Sequence, residues 1–232
     1  MGEMGRAFDG SYAEYALLPN EQIYPVDSQL PWSELAAVPE TYYTAFGSFK
    51  NLQIKEGDSI LVRAATSGVG LAFLKLVKAQ FPQNRVVGTV RSLAKKDLLQ
   101  HQGFDEIILD EKGVLQTEER FDKILELVGP ATLKNSFDHI QSAGIICNTG
   151  QLGGKWYVEE FDPIVEIKNN SLLTSFYSGN VSQQLIDELF SYIDAYQINV
   201  SPQRVFSLEQ IPAAHSYIES QVGFGKMVVL ND

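Results

Sequence analysis

The residues with the clearest capacity for chemistry lie in the hexapeptide Ala65-Thr66-Ser67-Gly68-Val69-Gly70, which separates an apolar run at 59–63 from a helical pattern over 69–80. Anions collect where a strand ends and a helix begins. The first amides of the helix have no intrahelical acceptor, and the aligned peptide dipoles place partial positive charge there. The six residues occupy the frame of the G-x-G-x-x-G fingerprint, with Ala65 and Ser67 in place of its first two glycines and Gly70 as the third. Retention of a pyrophosphate is the chemistry this frame suits. An ordinary tight turn between strand and helix fits the same residues equally well.

The segment after the next apolar run, 85–89, narrows the choice. Where such a fold prefers NADH, an Asp or Glu usually stands about twenty residues on to accept the ribose 2′-hydroxyl, whereas a 2′-phosphate calls for cations and hydroxyls. This chain reads Gly88-Thr89-Val90-Arg91-Ser92-Leu93-Ala94-Lys95-Lys96, with no carboxylate until Asp97. Arg91 can fork onto a phosphate, Ser92 can donate a hydrogen bond and Lys95 adds a point charge one turn on. A solvated helix start accounts for Lys95 and Lys96 without a ligand, but the group as a whole favours NADPH over NADH.

The elements that must position these residues follow from the hydrophobic pattern. After the helix at 69–80 and the strand at 85–89 come a helix at 93–102 stopped by Gly103, strands at 106–109, 121–128, 144–149 and 172–176, and a helix at 131–140. Alternation of short β-rich runs with helices predicts an α/β fold, a doubly wound parallel sheet of the Rossmann type. Residues 1–38 read as loops and short strands. After Ser178 the pattern predicts an amphipathic helix at 182–196, a strand at 203–207, a helix at 208–219 capped by Ser207, and a final strand at 226–230. These outer segments read as a second module.

Bulk properties exclude other classes. A net charge of −11 over 232 residues opposes binding to nucleic acid, whose affinity comes largely from Lys and Arg on phosphates. The one cysteine, Cys147, can form neither an intramolecular disulfide nor a thiolate cluster for structural zinc, so a reducing, cytoplasmic setting is expected. No apolar run is long enough to span a bilayer, and 1–9 lacks a signal-peptide pattern. Gly-x-Ser-x-Gly is absent, and no tyrosine has lysine four residues later.

Six blocks together resemble one family, the medium-chain dehydrogenases and reductases, in its zinc-free quinone oxidoreductase branch. Gly10-Ser11-Tyr12-Ala13-Glu14-Tyr15 is similar to the family's "GSFAEY" strand, and Val38-Pro39-Glu40-Thr41-Tyr42-Tyr43-Thr44-Ala45-Phe46 to its "PExxxTAY" helix. The turn at 64–70 resembles "AAAGGVG", and 88–95 resembles "GTxxSxxK". Leu127-Val128-Gly129 and Gly225-Lys226-Met227-Val228 are similar to the later "D-x-VG" and "GK-x-V" blocks. The blocks run in the family's order and cover essentially the whole chain.

The resemblance implies three segments: part of a β-rich, GroES-like catalytic domain at 1–38, the dinucleotide-binding domain at 39–178, and a return to the catalytic domain at 179–232. It implies that Thr44 stands beside the nicotinamide and that Ser67, Gly68, Val69 and Gly70 hold the pyrophosphate. Arg91, Ser92 and Lys95 would face the 2′-phosphate, and Val128, Gly129 and Gly150 would line the nicotinamide half. Phe176 would wall the nicotinamide, within an edge strand at 171–177 that pairs two subunits into a homodimer. Ser67 departs from the branch's glycine, and Asp110 stands where an aromatic often flanks the adenine.

The activity implied is NADPH-dependent hydride transfer to a small electrophile, a quinone or an α,β-unsaturated carbonyl. Positioning carries most of the catalysis there, and a solvent molecule or hydroxyl can supply the proton. Tyr42, Tyr43 and Tyr177 are candidate donors only in principle. Zinc is not expected: Glu40 stands where the alcohol dehydrogenase branch has a cysteine, and His101, His139 and His215 form no cluster in sequence. The opening Met1-Gly2-Glu3-Met4-Gly5-Arg6 resembles the interior of such a protein, so cofactor binding is expected to survive better than turnover. A non-catalytic NADPH-binding module or truncated paralogue is the alternative.

Overall fold

The computed structural model of this protein describes residues 4–220 and 223–231, so positions 1–3 of the opening segment lie outside the described residues. The helices are α1 (Trp32–Leu35), α2 (Thr41–Leu52), α3 (Gly68–Gln80), α4 (Lys96–His101), α5 (Leu133–Asp138), α6 (Pro163–Glu166), α7 (Gln183–Ala195) and α8 (Ile211–Glu219). The strands are β1 (Ile60–Val62), β2 (Val86–Val90), β3 (Glu106–Glu111), β4 (Val114–Leu115), β5 (Phe121–Glu126), β6 (Ile140–Asn148), β7 (Leu172–Ser175), β8 (Arg204–Ser207) and β9 (Met227–Leu230). The chain divides into two compact units, Thr44–Tyr177 and Met1–Tyr43 with Ser178–Asp232.

In the unit Thr44–Tyr177 the strands form one sheet in the order β4-β3-β2-β1-β5-β6-β7, parallel except for β4. Every residue of β1 and β2 is buried, as expected of parallel strands covered on both faces, and this is why both read as unbroken apolar runs. From β1 the chain winds outward through β2 and β3, then returns to the other side of β1 with β5. The order therefore reverses between β1 and β5, which is where doubly wound folds open a crevice for ligands. Leu61, Val87, Ile108, Ile124, Ile146 and Phe137 share one buried cluster.

The expected helices and strands are present, with three differences. First, the helix expected at 131–140 ends at Asp138, because Ile140 joins β6 opposite Phe121 and both are completely buried. Second, the helix expected at 93–102 opens as a 3-10 turn, Leu93–Lys95, with Ser92 accepting from the Ala94 amide. Third, β4 is a short antiparallel strand the pattern did not predict; it pairs Leu115 with Asp110 and buries Leu115.

The other unit departs further from expectation. No strand forms among described residues 4–40, and the segment 10–15 expected as a strand leaves Tyr12 and Tyr15 exposed. A strand needs a ladder partner, and the two strands of this unit, β8 and β9, pair with each other. Helix α7 matches its sequence pattern closely: Ser182 caps it by accepting from Leu185 N, and Leu189 and Ile193 are buried. Among the described residues no helix is long and apolar enough to cross a membrane.

Candidate dinucleotide site

Helix α3 starts where β1 ends, and Ser67 is its N-cap. The Ser67 hydroxyl accepts from Gly70 N at 3.0 Å, so the serine that replaces a fingerprint glycine takes up one of the helix's unpaired amides. Gly68 and Val69 remain in the first turn, where no helical carbonyl reaches their N–H groups. Gly70 is required by close approach: a Cβ there would lie 3.0 Å from the Ala64 carbonyl oxygen and from Ser67 Oγ. Ala64, the first residue of the turn, has φ +64° and is anchored by its amide donating to Thr89 Oγ1 at 3.2 Å.

At the end of β2, Arg91 and Ser92 are exposed and Lys95 is half-buried. No ion pair engages Arg91 among the described residues. Desolvation by partial burial holds the Lys95 ammonium below the usual lysine range.

Thr44 lies on α2, 6% exposed, and its Oγ1 has no hydrogen-bond partner. Its carbonyl accepts from Ser48 Oγ at 2.8 Å, and Ser48 Oγ also meets Thr149 Oγ1 at 2.9 Å. Cys147 Sγ lies 3.4 Å from the same Thr149 hydroxyl; burial pushes its thiol above the usual range, which keeps it a packed group rather than a nucleophile. Asn148 Oδ1, at the end of β6, is a second buried acceptor without a partner. Buried polar atoms are nearly always satisfied, and among the described residues of this unit four are not: Thr44 Oγ1, Asn148 Oδ1, Arg63 Nε and Ser171 Oγ, of which the first belongs to a residue expected to meet the cofactor. The Ser48, Thr149 and Asn148 contributions were not anticipated from sequence, because isolated hydroxyls and amides carry no periodic signal.

Val128, Gly129 and Gly150 come together at the ends of β5 and β6. Gly129 has φ +87°, and a Cβ on it would lie 2.3 Å from the Gly150 carbonyl oxygen. The Val128 carbonyl accepts from Gly153 N at 2.8 Å, and the Val128 and Gly129 amides both donate to Glu126 Oε1 at 2.9 Å. The backbone of this turn is thus engaged by the protein itself. Phe176 packs directly on α2: a Cβ on Gly47 would fall 2.1 Å from its ring.

The largest feature that sequence reading missed is Arg63, completely buried at the end of β1. Its Nη2 donates to Asp110 Oδ2 at 2.5 Å and to the Gly113 carbonyl at 3.2 Å. Its Nη1 donates to the Thr132 carbonyl, Asn135 Oδ1 and Ser136 Oγ. Asp110, noted in the sequence as an odd residue beside an adenine, is the counter-ion of this arginine. A charged residue closing an otherwise apolar, buried strand was the available signal.

The three histidines and the three tyrosines named above sit in the following local surroundings. His101 and His139 meet backbone carbonyls and His215 meets Tyr12 Oη. No group of three or more metal-ligating side chains occurs among the described residues. Tyr43 Oη donates to the Asn180 carbonyl and accepts from Ser182 N, Tyr42 is raised by burial, and Tyr177 is exposed.

Sheet order and site together define a dinucleotide-binding, doubly wound domain. A family model described as zinc-binding dehydrogenase matches residues 102–229, more than half of the chain. The protein therefore belongs to that family of the medium-chain dehydrogenase superfamily, and within it is similar to the quinone oxidoreductases. It is 24% identical to the probable quinone oxidoreductase of Schizosaccharomyces pombe, over 95% of this chain and 70% of that protein. It is also 24% identical to a segment of probable polyketide synthase 14 of Dictyostelium discoideum, over 94% of this chain but only 8% of that protein. Among solved structures, Bacillus subtilis protein yhfP with NAD bound is similar at a TM-score of 0.80 and 22% identity, covering 98% of this chain and 72% of that one.

Proposed function

We propose that the protein is an NADPH-dependent oxidoreductase acting on a quinone or an α,β-unsaturated carbonyl. The observation that carries the cofactor choice is the exposed Arg91 at the end of β2, which makes no ion pair among the described residues, followed by Ser92 and Lys95 with no carboxylate between them. Since yhfP carries NAD, the preference has to be read from these residues rather than from the fold. Ser67 to Gly70 would hold the pyrophosphate, Thr44 and Asn148 would offer their unpartnered oxygens, and Val128, Gly129, Gly150 and Phe176 would shape the nicotinamide end. When bound, the dinucleotide supplies hydride chemistry. The chain's own part is to bind, orient and exclude water, so no acid or base side chain is assigned. A buried, single cysteine suits a reducing cytoplasm.

The test is titration with NADPH and NADH, monitored by nucleotide fluorescence, with quinones and simple enones as oxidants. NADPH is expected to bind more tightly than NADH, and Arg91→Ala with Lys95→Ala to weaken NADPH by about 1.5–3 kcal/mol, roughly tenfold to a hundredfold, while leaving NADH nearly unchanged. Equal binding of the two nucleotides, or an NADPH affinity indifferent to both substitutions, would remove the phosphate reading. A second reading, a nucleotide-binding module without catalysis, is favoured by the confinement of every candidate cofactor residue to the one compact unit Thr44–Tyr177. NADPH binding without oxidation by any quinone or enone would select it.

We also propose a homodimer through β7, which among the described residues pairs only with β6 and exposes Leu172, Leu173 and Tyr177 nearby. An unpaired apolar edge is an invitation to a second strand, and a two-fold axis would continue the sheet. Light scattering is expected to return twice the chain mass. A monomer at all concentrations tested would rule the pairing out.

A further inference from the structure

We propose that Glu126 and Arg63 are positioning residues that hold the Val128–Gly129 turn for the nicotinamide half of the bound dinucleotide. The inference rests on the cofactor reading above and extends it to Arg63 and to Glu126, the acid at the head of the "D-x-VG"-like block, neither of which was among the expected site residues.

The geometry is a chain of contacts from the pyrophosphate turn to the nicotinamide turn. Arg63 immediately precedes Ala64, where the pyrophosphate turn begins. Its Nε lies 3.8 Å from Glu126 Oε2, with both side chains completely buried. Glu126 Oε2 accepts from Ser136 Oγ at 2.5 Å, and that same Ser136 oxygen accepts from Arg63 Nη1 at 3.1 Å. Glu126 Oε1 then accepts the amides of Val128 and Gly129. The guanidinium, the serine and the carboxylate form a buried cluster, linked by hydrogen bonds through Ser136 and by the 3.8 Å ion pair, that ends on the turn itself.

A turn of this kind needs such a hold. Gly129 is left-handed and lies so near Gly150 that a Cβ would fall 2.3 Å from its carbonyl oxygen, and the adjacent amides of Val128 and Gly129 point the same way. Without an internal acceptor they would turn toward solvent or toward a ligand. Glu126 consumes both and fixes where the Val128 side chain stands. Arg63, held from the far side by Asp110, Asn135 and two carbonyls, keeps the glutamate from swinging. Supporting groups that lock the residues touching a ligand commonly decide whether a site is tight or loose.

Glu126→Gln tests this. Glutamine keeps one oxygen, but its amide puts N–H groups where one of the two acceptor positions, toward Ser136 and Arg63 or toward the turn amides, now lies. Two probes report on the two ends of the site: adenosine 2′,5′-bisphosphate carries the adenosine end alone, and NADPH carries both. The expected result is binding of the bisphosphate within about twofold of the unaltered chain and a loss of about tenfold for NADPH, equivalent to about 1.4 kcal/mol. Equal losses for both probes, or no loss for either, would overturn the proposal, since a general scaffold would not distinguish the two ends. If Glu126→Gln fails to fold, Ser136→Ala removes a single hydroxyl from the cluster and must show the same split at smaller size, about threefold. If the unaltered chain binds neither probe, the cofactor reading itself falls and this inference with it. Binding of the bisphosphate with NADPH no tighter leaves the nucleotide site standing and removes only the role of the turn.

Discussion

Arg63→Met is expected to lower the free energy of unfolding by about 3–5 kcal/mol, measured by urea denaturation followed by far-ultraviolet circular dichroism. Methionine retains much of the apolar stem, so little of this loss comes from packing. The cost arises because Asp110, 6% exposed, and Glu126, 0% exposed, would keep their carboxyl groups in a dry interior without the cation that faces both. Adding Asp110→Asn to Arg63→Met should recover part of the loss, because one of the two stranded acids is then neutral. The double variant should be more stable than the sum of the single effects predicts. A loss below about 1 kcal/mol for Arg63→Met would show that the carboxyl groups find other partners and that the network is weakly held.

Gly129→Ala should cost about 3 kcal/mol or more, and a companion substitution separates its two causes. Gly129 and Gly57 share φ +87°, but a Cβ on Gly57 meets nothing within 4 Å, whereas on Gly129 it would meet the Gly150 oxygen at 2.3 Å. Gly57→Ala therefore reports the left-handed backbone alone, about 1–2 kcal/mol. The excess in Gly129→Ala reports the collision between the ends of β5 and β6. Relief of that collision has to move the turn that carries Val128, so NADPH affinity should fall in Gly129→Ala and stay unchanged in Gly57→Ala. Equal costs for the two glycines in thermal and urea unfolding would contradict the close approach as the reason for glycine at 129.

These two expectations concern residues that sequence reading treated very differently. Gly129 was legible, because a glycine after an apolar run and inside a family-like block marks a turn at a strand end. Arg63 was not, because strand patterns report burial through apolar residues and an arginine reads as the place where the strand emerges into solvent. Its burial depends on Asp110, Glu126, Asn135 and Ser136, which lie 47 or more positions away in the chain. The same limit explains Asp110, whose oddity was visible while its partner was not. It explains the segment 10–15 as well: the resemblance to a family strand argued for one there, but strand formation depends on a neighbouring ladder, and local sequence does not report one.

Sequence by itself determined the alternation of strands and helices, the site of the β1 to α3 turn, the capping serine at 207, and the cationic character of the segment after β2. All of these are local: periodicity, capping and charge act over a few residues and are written in the order of the chain. Only the tertiary structure decided that Ser67 spends its hydroxyl on its own helix and that Thr44 and Asn148 keep buried oxygens without partners. It also decided that an arginine under the β1 to α3 turn is joined through Glu126 to the turn at the ends of β5 and β6. Those facts depend on which distant residues are brought to the centre of the sheet, where exclusion of water makes each polar group's partner, or lack of one, count.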